Sequence, residues 1–159
     1  MSWAYIGLGS NLGESKDILT QALRDLSQHL SIKLIRVSPY YRSAPVDSGG
    51  PDYINAVACL ETSLSALDLL HIMQAIELEH GRERPYFNAP RTLDLDLLLF
   101  EDFSSQSAEL TVPHPRMHQR AFVLAPLADL LGDDYQLAQG SLAQLLAKAL
   151  AEGQEIQRN

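Results

Sequence analysis

Leucine and aspartate take turns along Arg91-Thr92-Leu93-Asp94-Leu95-Asp96-Leu97 before Leu98-Leu99-Phe100 makes the run wholly apolar. A period of two predicts a strand, with Leu93, Leu95 and Leu97 on one face and Asp94 and Asp96 on the other. Aspartate is depleted in strands, and the run is too apolar for an exposed edge. Upstream, the short apolar run 3–8 reads as a first strand and the glycine-rich stretch 7–13 as a loop leading into a helix. That helix starts at Ser15 or Asp17 and carries Ile18, Leu19, Ala22, Leu23, Leu26 and Leu30 at helical spacing. Residues 32–41 form a second strand, with Pro39 marking an edge or irregular position. A loop rich in glycine and proline covers 42–52, and a third strand covers 53–62. Ser65 to Asp68 approximates a capping box, and Leu67, Leu70, Met73 (or Gln74) and Leu78 form the apolar stripe of a second helix that Gly81 ends. Residues 85–90 read as a lid beside a phosphate site, and 110–115 as an extended piece stiffened by two prolines. A short helical segment then carries Arg116 to Arg120, residues 122–131 are mostly core, and 141–151 form a last amphipathic helix. The order βαββαβ with terminal additions predicts one α+β domain over 1–159. Its core is ferredoxin-like, a mostly antiparallel sheet with helices on one face.

Composition is that of a globular domain: 159 residues, 46% hydrophobic and 20% charged. The single cysteine, Cys59, lies in an apolar run, which excludes a disulfide framework and suggests a reducing compartment. The first residues lack a basic signal-peptide segment, and no apolar run reaches membrane-spanning length, so a soluble cytoplasmic protein is expected. Net charge of −8 and a pI near 4.9 argue against nucleic-acid binding. Yet five of the nine arginines (Arg82, Arg84, Arg91, Arg116, Arg120) fall between residues 82 and 120, and all three lysines lie elsewhere. Arginines bracketing an acidic strand suggest a small anionic ligand held by bidentate contacts to phosphate oxygens.

Asp94 and Asp96 stand about 7 Å apart at their Cα atoms, from a rise of roughly 3.3 Å per residue. Two readings fit them. They converge on a hard cation such as Mg2+, which takes one or two carboxylates and completes its shell with waters and phosphates; or they are the solvated face of a half-exposed strand. The Gly7-Leu8-Gly9-Ser10-Asn11-Leu12-Gly13 stretch has the spacing G-x-G-x-x-x-G, not that of a dinucleotide fingerprint, and no P-loop occurs. His114 and His118 are four apart, a zinc spacing on a helix, but Pro115 between them and the lack of a third ligand speak against zinc. Asn55 is the odd residue in its strand: either a satisfied structural amide or one that reads the edge of a heterocycle.

Taken together these motifs resemble the 6-hydroxymethyl-7,8-dihydropterin pyrophosphokinase family, from the first strand to about Leu131. The resemblance rests on the glycine stretch, on Tyr41-Arg42-Ser43-Ala44-Pro45 and Pro51-Asp52-Tyr53-Ile54-Asn55-Ala56, and on Gly81-Arg82-Glu83-Arg84. It continues through Ala89-Pro90-Arg91-Thr92-Leu93-Asp94-Leu95-Asp96 and Val112-Pro113-His114-Pro115 to Phe122. It implies transfer of the β,γ-diphosphoryl group of ATP to the pterin hydroxymethyl in folate biosynthesis, leaving AMP. It also implies two Mg2+ ions on Asp94 and Asp96, with Asp96 a candidate to take the hydroxyl proton. Arg82 and Arg91 match loop arginines that clamp the triphosphate. Arg84, His114 and Arg120 match further phosphate contacts, and Gln74, Glu77 and Thr111 match residues lining the nucleotide site. Tyr53 and Phe122 match the ring-stacking partners and Asn55 the edge reader, completed by backbone near Ser43, Ala44 and Val46. The family also implies a monomer. Asn88-Ala89-Pro90 replaces the Trp-Gly-Pro of some members in a loop a residue shorter, and Ser43 replaces a threonine.

Two other readings compete. A non-catalytic paralogue would bind pterin or nucleotide, but it need not keep the paired carboxylates. A Rossmann-type oxidoreductase would explain the glycines, but it needs repeated βαβ crossovers, and the second and third strands are joined by too short a loop.

Overall fold

The chain runs through β1 (Ser2–Ser10), α1 (Ser15–Ser27), β2 (Ile32–Val37), β3 (Tyr41–Ser43), β4 (Tyr53–Thr62), α2 (Ala66–His80) and β5 (Asp94–Phe100). A hairpin of β6 (Ser105–Gln106) and β7 (Thr111–Val112), a 3-10 turn (Met117–Gln119) and α3 (Ala121–Leu131) follow. The hairpin β8 (Gln136–Leu137) and β9 (Gly140–Ser141), then α4 (Leu142–Ala151) and β10 (Ile156–Arg158), complete it. This computed structural model describes residues 1–11, 14–44, 51–81 and 93–159.

The main sheet has the order β10-β3-β4-β1-β5, with β2 also paired to β4, and every pairing is antiparallel. β1 and β2 therefore run the same way with β4 between them, and β4 and β5 do so with β1 between them. That is the split βαβ arrangement of the ferredoxin-like fold. It is incompatible with a Rossmann sheet, whose neighbouring strands are parallel.

Both faces of the sheet are covered, which corrects the expectation of helices on one face. Ala4, Ile6 and Leu8 of β1 pack with Leu19 and Leu26 of α1 and Leu69 and Met73 of α2. On the other face Tyr5, Val57, Leu98 and Leu99 pack with Leu124 and Leu127 of α3 and Leu142 of α4. Each such side chain contributes about 1.5–3 kcal/mol on burial, so neither face is stable bare. The segment 122–131, expected only to be core, is the helix that closes the second face.

Several boundaries move for physical reasons. β1 continues to Ser10, so Gly7 and Gly9 are strand residues and not a loop. The expected strand 32–41 breaks at Ser38-Pro39-Tyr40 and resumes as β3, because proline donates nothing to a ladder. α1 ends at Ser27, which leaves Leu30 fully exposed. α2 carries apolar residues on more than one face, and packing selects Ala66, Leu69, Met73 and Ile76 as its buried row, leaving Leu67 and Leu78 out. In β5, Tyr5 pairs with Leu99 and Ile6 with Leu97, so Leu98 is a bulge residue. The bulge turns Leu98 and Leu99 to the same face, which explains why the alternation ends in a solid apolar run.

Candidate active site

Strand register assembles the site. Gly9 pairs with Asn55 on one side and with Asp94 on the other; Gly7 pairs likewise with Val57 and Asp96. Residues directly opposite project from the same face, so both carboxylates share a face with Asn55. Two strand spacings of about 4.8 Å set Asn55 and Asp94 roughly 10 Å apart at the backbone, across a glycine without a side chain. The floor between them is bare. Next to Asn55, Ser43 of β3 pairs with Tyr53 of β4. The Asn55 Nδ2 donates to Ser43 Oγ at 2.7 Å, and both residues are buried.

A cleft of about 580 Å3 opens over this floor. Asp94, Asp96 and Arg120 line it together with Ser43, Ala44, Tyr53, Asn55 and Phe122. Arg120 and Phe122 come from the junction of the 3-10 turn with α3, and the guanidinium stands 5.5 Å over the Phe122 ring. The Asp96 carboxylate has Arg120 Nη1 at 4.0 Å and His114 Nε2 at 3.9 Å. His114 Nδ1 accepts the Arg116 N–H at 3.1 Å, so the neutral ring carries its proton on Nε2, toward Asp96. Burial holds the His114 pKa below the ordinary histidine value; Asp96 pulls it up, while Arg120 and Arg116 push it down. The Tyr53 hydroxyl is raised by burial and by the charge of Asp94.

The pattern that describes 7,8-dihydro-6-hydroxymethylpterin-pyrophosphokinase (HPPK) matches residues 5–132, which takes in every strand that builds this floor. The chain belongs to the HPPK family. It is 46% identical over 153 residues to a 2-amino-4-hydroxy-6-hydroxymethyldihydropteridine pyrophosphokinase of Pseudomonas aeruginosa, covering 95% of this chain and 94% of that one. It is 42% identical over 160 residues to the protein of the same name from Haemophilus influenzae, covering 100% and 99%. The fold resembles a crystal structure of Plasmodium falciparum HPPK-DHPS wild type with SDX-DHP, with a TM-score of 0.70 at 14% identity. That match covers 96% of this chain and 44% of the other, so this chain spans under half its length.

The HPPK residues expected from sequence separate into three groups. Ser43, Ala44, Tyr53, Asn55, Asp94, Asp96, Arg120 and Phe122 meet in the cleft, and His114 stands behind Asp96. Phe122 is both cleft wall and packing partner of the second core. Gln74, Glu77 and Thr111 lie off the cleft. Gln74 is exposed on α2, and Thr111 Oγ1 donates to the Ser107 carbonyl at 3.1 Å in the β6–β7 hairpin. The Glu77 carboxylate accepts the Leu95 N–H at 2.8 Å, bracing β5 between its two aspartates. Val46, Arg82, Arg84 and Arg91 lie outside the described residues. Gln119 and Gln154 also border the cleft and were not expected. A lone glutamine carries no signal in sequence, and Gln154 lies beyond the stretch that resembles the family.

Proposed function

We propose that this cleft transfers the β,γ-diphosphoryl group of ATP to the hydroxymethyl oxygen of 6-hydroxymethyl-7,8-dihydropterin, with Asp94 and Asp96 at the phosphate end and Tyr53, Asn55 and Phe122 at the ring end. The observation that carries this assignment is the row Asn55–Gly9–Asp94. A flat ring fits over a glycine floor, with an amide at one edge and a carboxylate at the other, where the hydroxymethyl would point.

The donor set suits Mg2+. Asp94 and Asp96 offer hard oxygens from one strand face, and among the described residues no third acidic, histidine or cysteine side chain joins them to complete a protein cage. Mg2+ prefers such a partial set, leaving room for water and phosphate oxygens. When bound, the two ions would neutralise phosphate charge and lower the pKa of the attacking hydroxyl.

The chain's own residues position and neutralise. Tyr53 and Phe122 hold the ring, and Asn55 reads its edge. Arg120 offers planar donors to the diphosphoryl oxygens, joined by Arg82, Arg84 and Arg91 from the segment between α2 and β5. Neutral His114 donates its Nε2–H to a phosphate oxygen. Gln74 and Thr111 take the adenosine side. The backbone around Ser43, Ala44 and Val46 closes the ring end. The hydroxyl oxygen bonds to the β-phosphorus, the bond to the α–β bridging oxygen breaks, AMP departs with that oxygen, and Asp96 receives the hydroxyl proton. Such a reaction needs alignment and charge neutralisation more than covalent help.

On this reading residues 1–159 act as one pyrophosphokinase domain, a cytoplasmic monomer. Among the described residues no helix is long and apolar enough to cross a membrane. Chromatography of nucleotides after incubation with Mg2+, ATP and the pterin tests the activity. AMP should form one-for-one with the pterin diphosphate, and Asp94→Asn or Asp96→Asn should lower the rate at least ~1,000-fold, as loss of a metal ligand at a phosphoryl-transfer site would. Release of ADP would mean single phosphoryl transfer, and saturable pterin binding without turnover would mean a non-catalytic binder.

A further inference from the structure

The C-terminal segment joins two cleft walls that lie far apart in sequence. After α4 the chain turns at Gly153, whose φ is +101°. The Gly153 N–H donates to the Leu150 carbonyl at 3.1 Å and the Gln154 N–H to the Ala149 carbonyl at 3.2 Å. Those paired bonds make a Schellman turn, which places the residue after the glycine firmly. Here that residue is Gln154, and it meets the start of α3. Its Oε1 accepts the Ala121 N–H at 2.8 Å, and its Nε2 donates to the Gln119 carbonyl at 2.7 Å. Ala121 is the first residue of α3, where amide groups have no helical acceptor, and Arg120 at the N-cap makes no side-chain cap. A glutamine 33 positions downstream supplies the missing cap. Two residues later the chain enters β10, where Ile156 pairs with Ser43 and Arg158 with Tyr41.

We propose that Gln154 is a positioning residue for substrate binding. Its amide grips the peptide groups on both sides of Arg120, and so sets the Arg120 guanidinium and the Phe122 ring that stacks beneath it. The strand that follows holds Ser43 across the cleft. The segment 153–158 thus fixes the distance between the two walls that enclose the pterin. This rests on the assignment of Phe122 and Asn55 to that ring.

Steady-state AMP release by the whole chain, at saturating ATP and Mg2+, tests it. Gln154→Met keeps the length and loses both bonds; it should raise the KM for the pterin about tenfold, since 1.4 kcal/mol is a factor of ten, with a smaller fall in kcat through Arg120. Gln154→Glu keeps an acceptor for Ala121 but sets a carboxylate against the Gln119 carbonyl. Its KM should rise as that of Gln154→Met does, because the donor to the Gln119 carbonyl is lost and a carboxylate faces that carbonyl instead. A well-folded Gln154→Met or Gln154→Glu with wild-type KM, or a lowered melting temperature without any change in KM, overturns the proposal. In those cases the wild type still makes AMP and the activity stands; a wild type that makes none overturns both.

Discussion

A methyl group on Gly9 would stand 3.0 Å from Oδ1 of Asn55. The glycine is therefore a space requirement of the cleft floor and not a turn residue; its backbone is ordinary strand. Gly9→Ala should push the amide aside by a few tenths of an ångström and raise the floor where the ring lies. Expected is a rise in pterin KM of about tenfold or more, with a loss of folding stability of about 1–3 kcal/mol. Kinetics beside urea denaturation would check this, and an unchanged KM would remove Gly9 from the ring site.

The bond from Asn55 Nδ2 to Ser43 Oγ, 2.7 Å long and buried, couples β4 to β3. Truncating either partner strands the other. Asn55→Ala and Ser43→Ala should each cost about 1–3 kcal/mol, and the double variant less than their sum. A double-mutant cycle in urea reads the coupling directly, and strict additivity would show that the pair does not interact.

Glu77 acts on β5 through its bond to the Leu95 N–H, midway between the two aspartates. Glu77→Ala should loosen that strand by about 1 kcal/mol and lower kcat, while pterin KM changes little. Glu77→Gln retains an acceptor and should recover part of kcat. If both variants match wild type, the brace has no bearing on the carboxylates.

His114 carries a pH signature. Burial lowers its folded-state pKa, so in mildly acid solution the unfolded chain binds the proton more readily than the folded one. Stability then rises with pH and falls as pH drops below about 6.5, the unfolded value, until the folded value is passed. His114→Gln should flatten the difference in unfolding free energy between about pH 7.5 and 5.5. An unchanged difference would assign the dependence to another group.

Much of this was legible in the chain itself. The alternation of Leu93 to Leu97 places the aspartates opposite the core leucines because a strand's period is two, a property of covalent geometry. The third strand, the cap at Ser65 and the closing amphipathic helix are local chemistry of the same kind. The motifs carry the family and so the reaction. Tertiary structure decided what local pattern leaves degenerate. The row α2 buries among several apolar rows depends on what faces it. The second helical layer exists because Tyr5, Val57, Leu98 and Leu99 need cover, and no local signal says which segment provides it. The meeting of Asn55, Gly9 and Asp94 is a matter of register between strands more than 40 residues apart, and that of Gln154 with Ala121 depends on where α4 comes to rest. Periodicity is written in neighbours along the chain; register and packing are settled only when distant faces compete for the same buried surface.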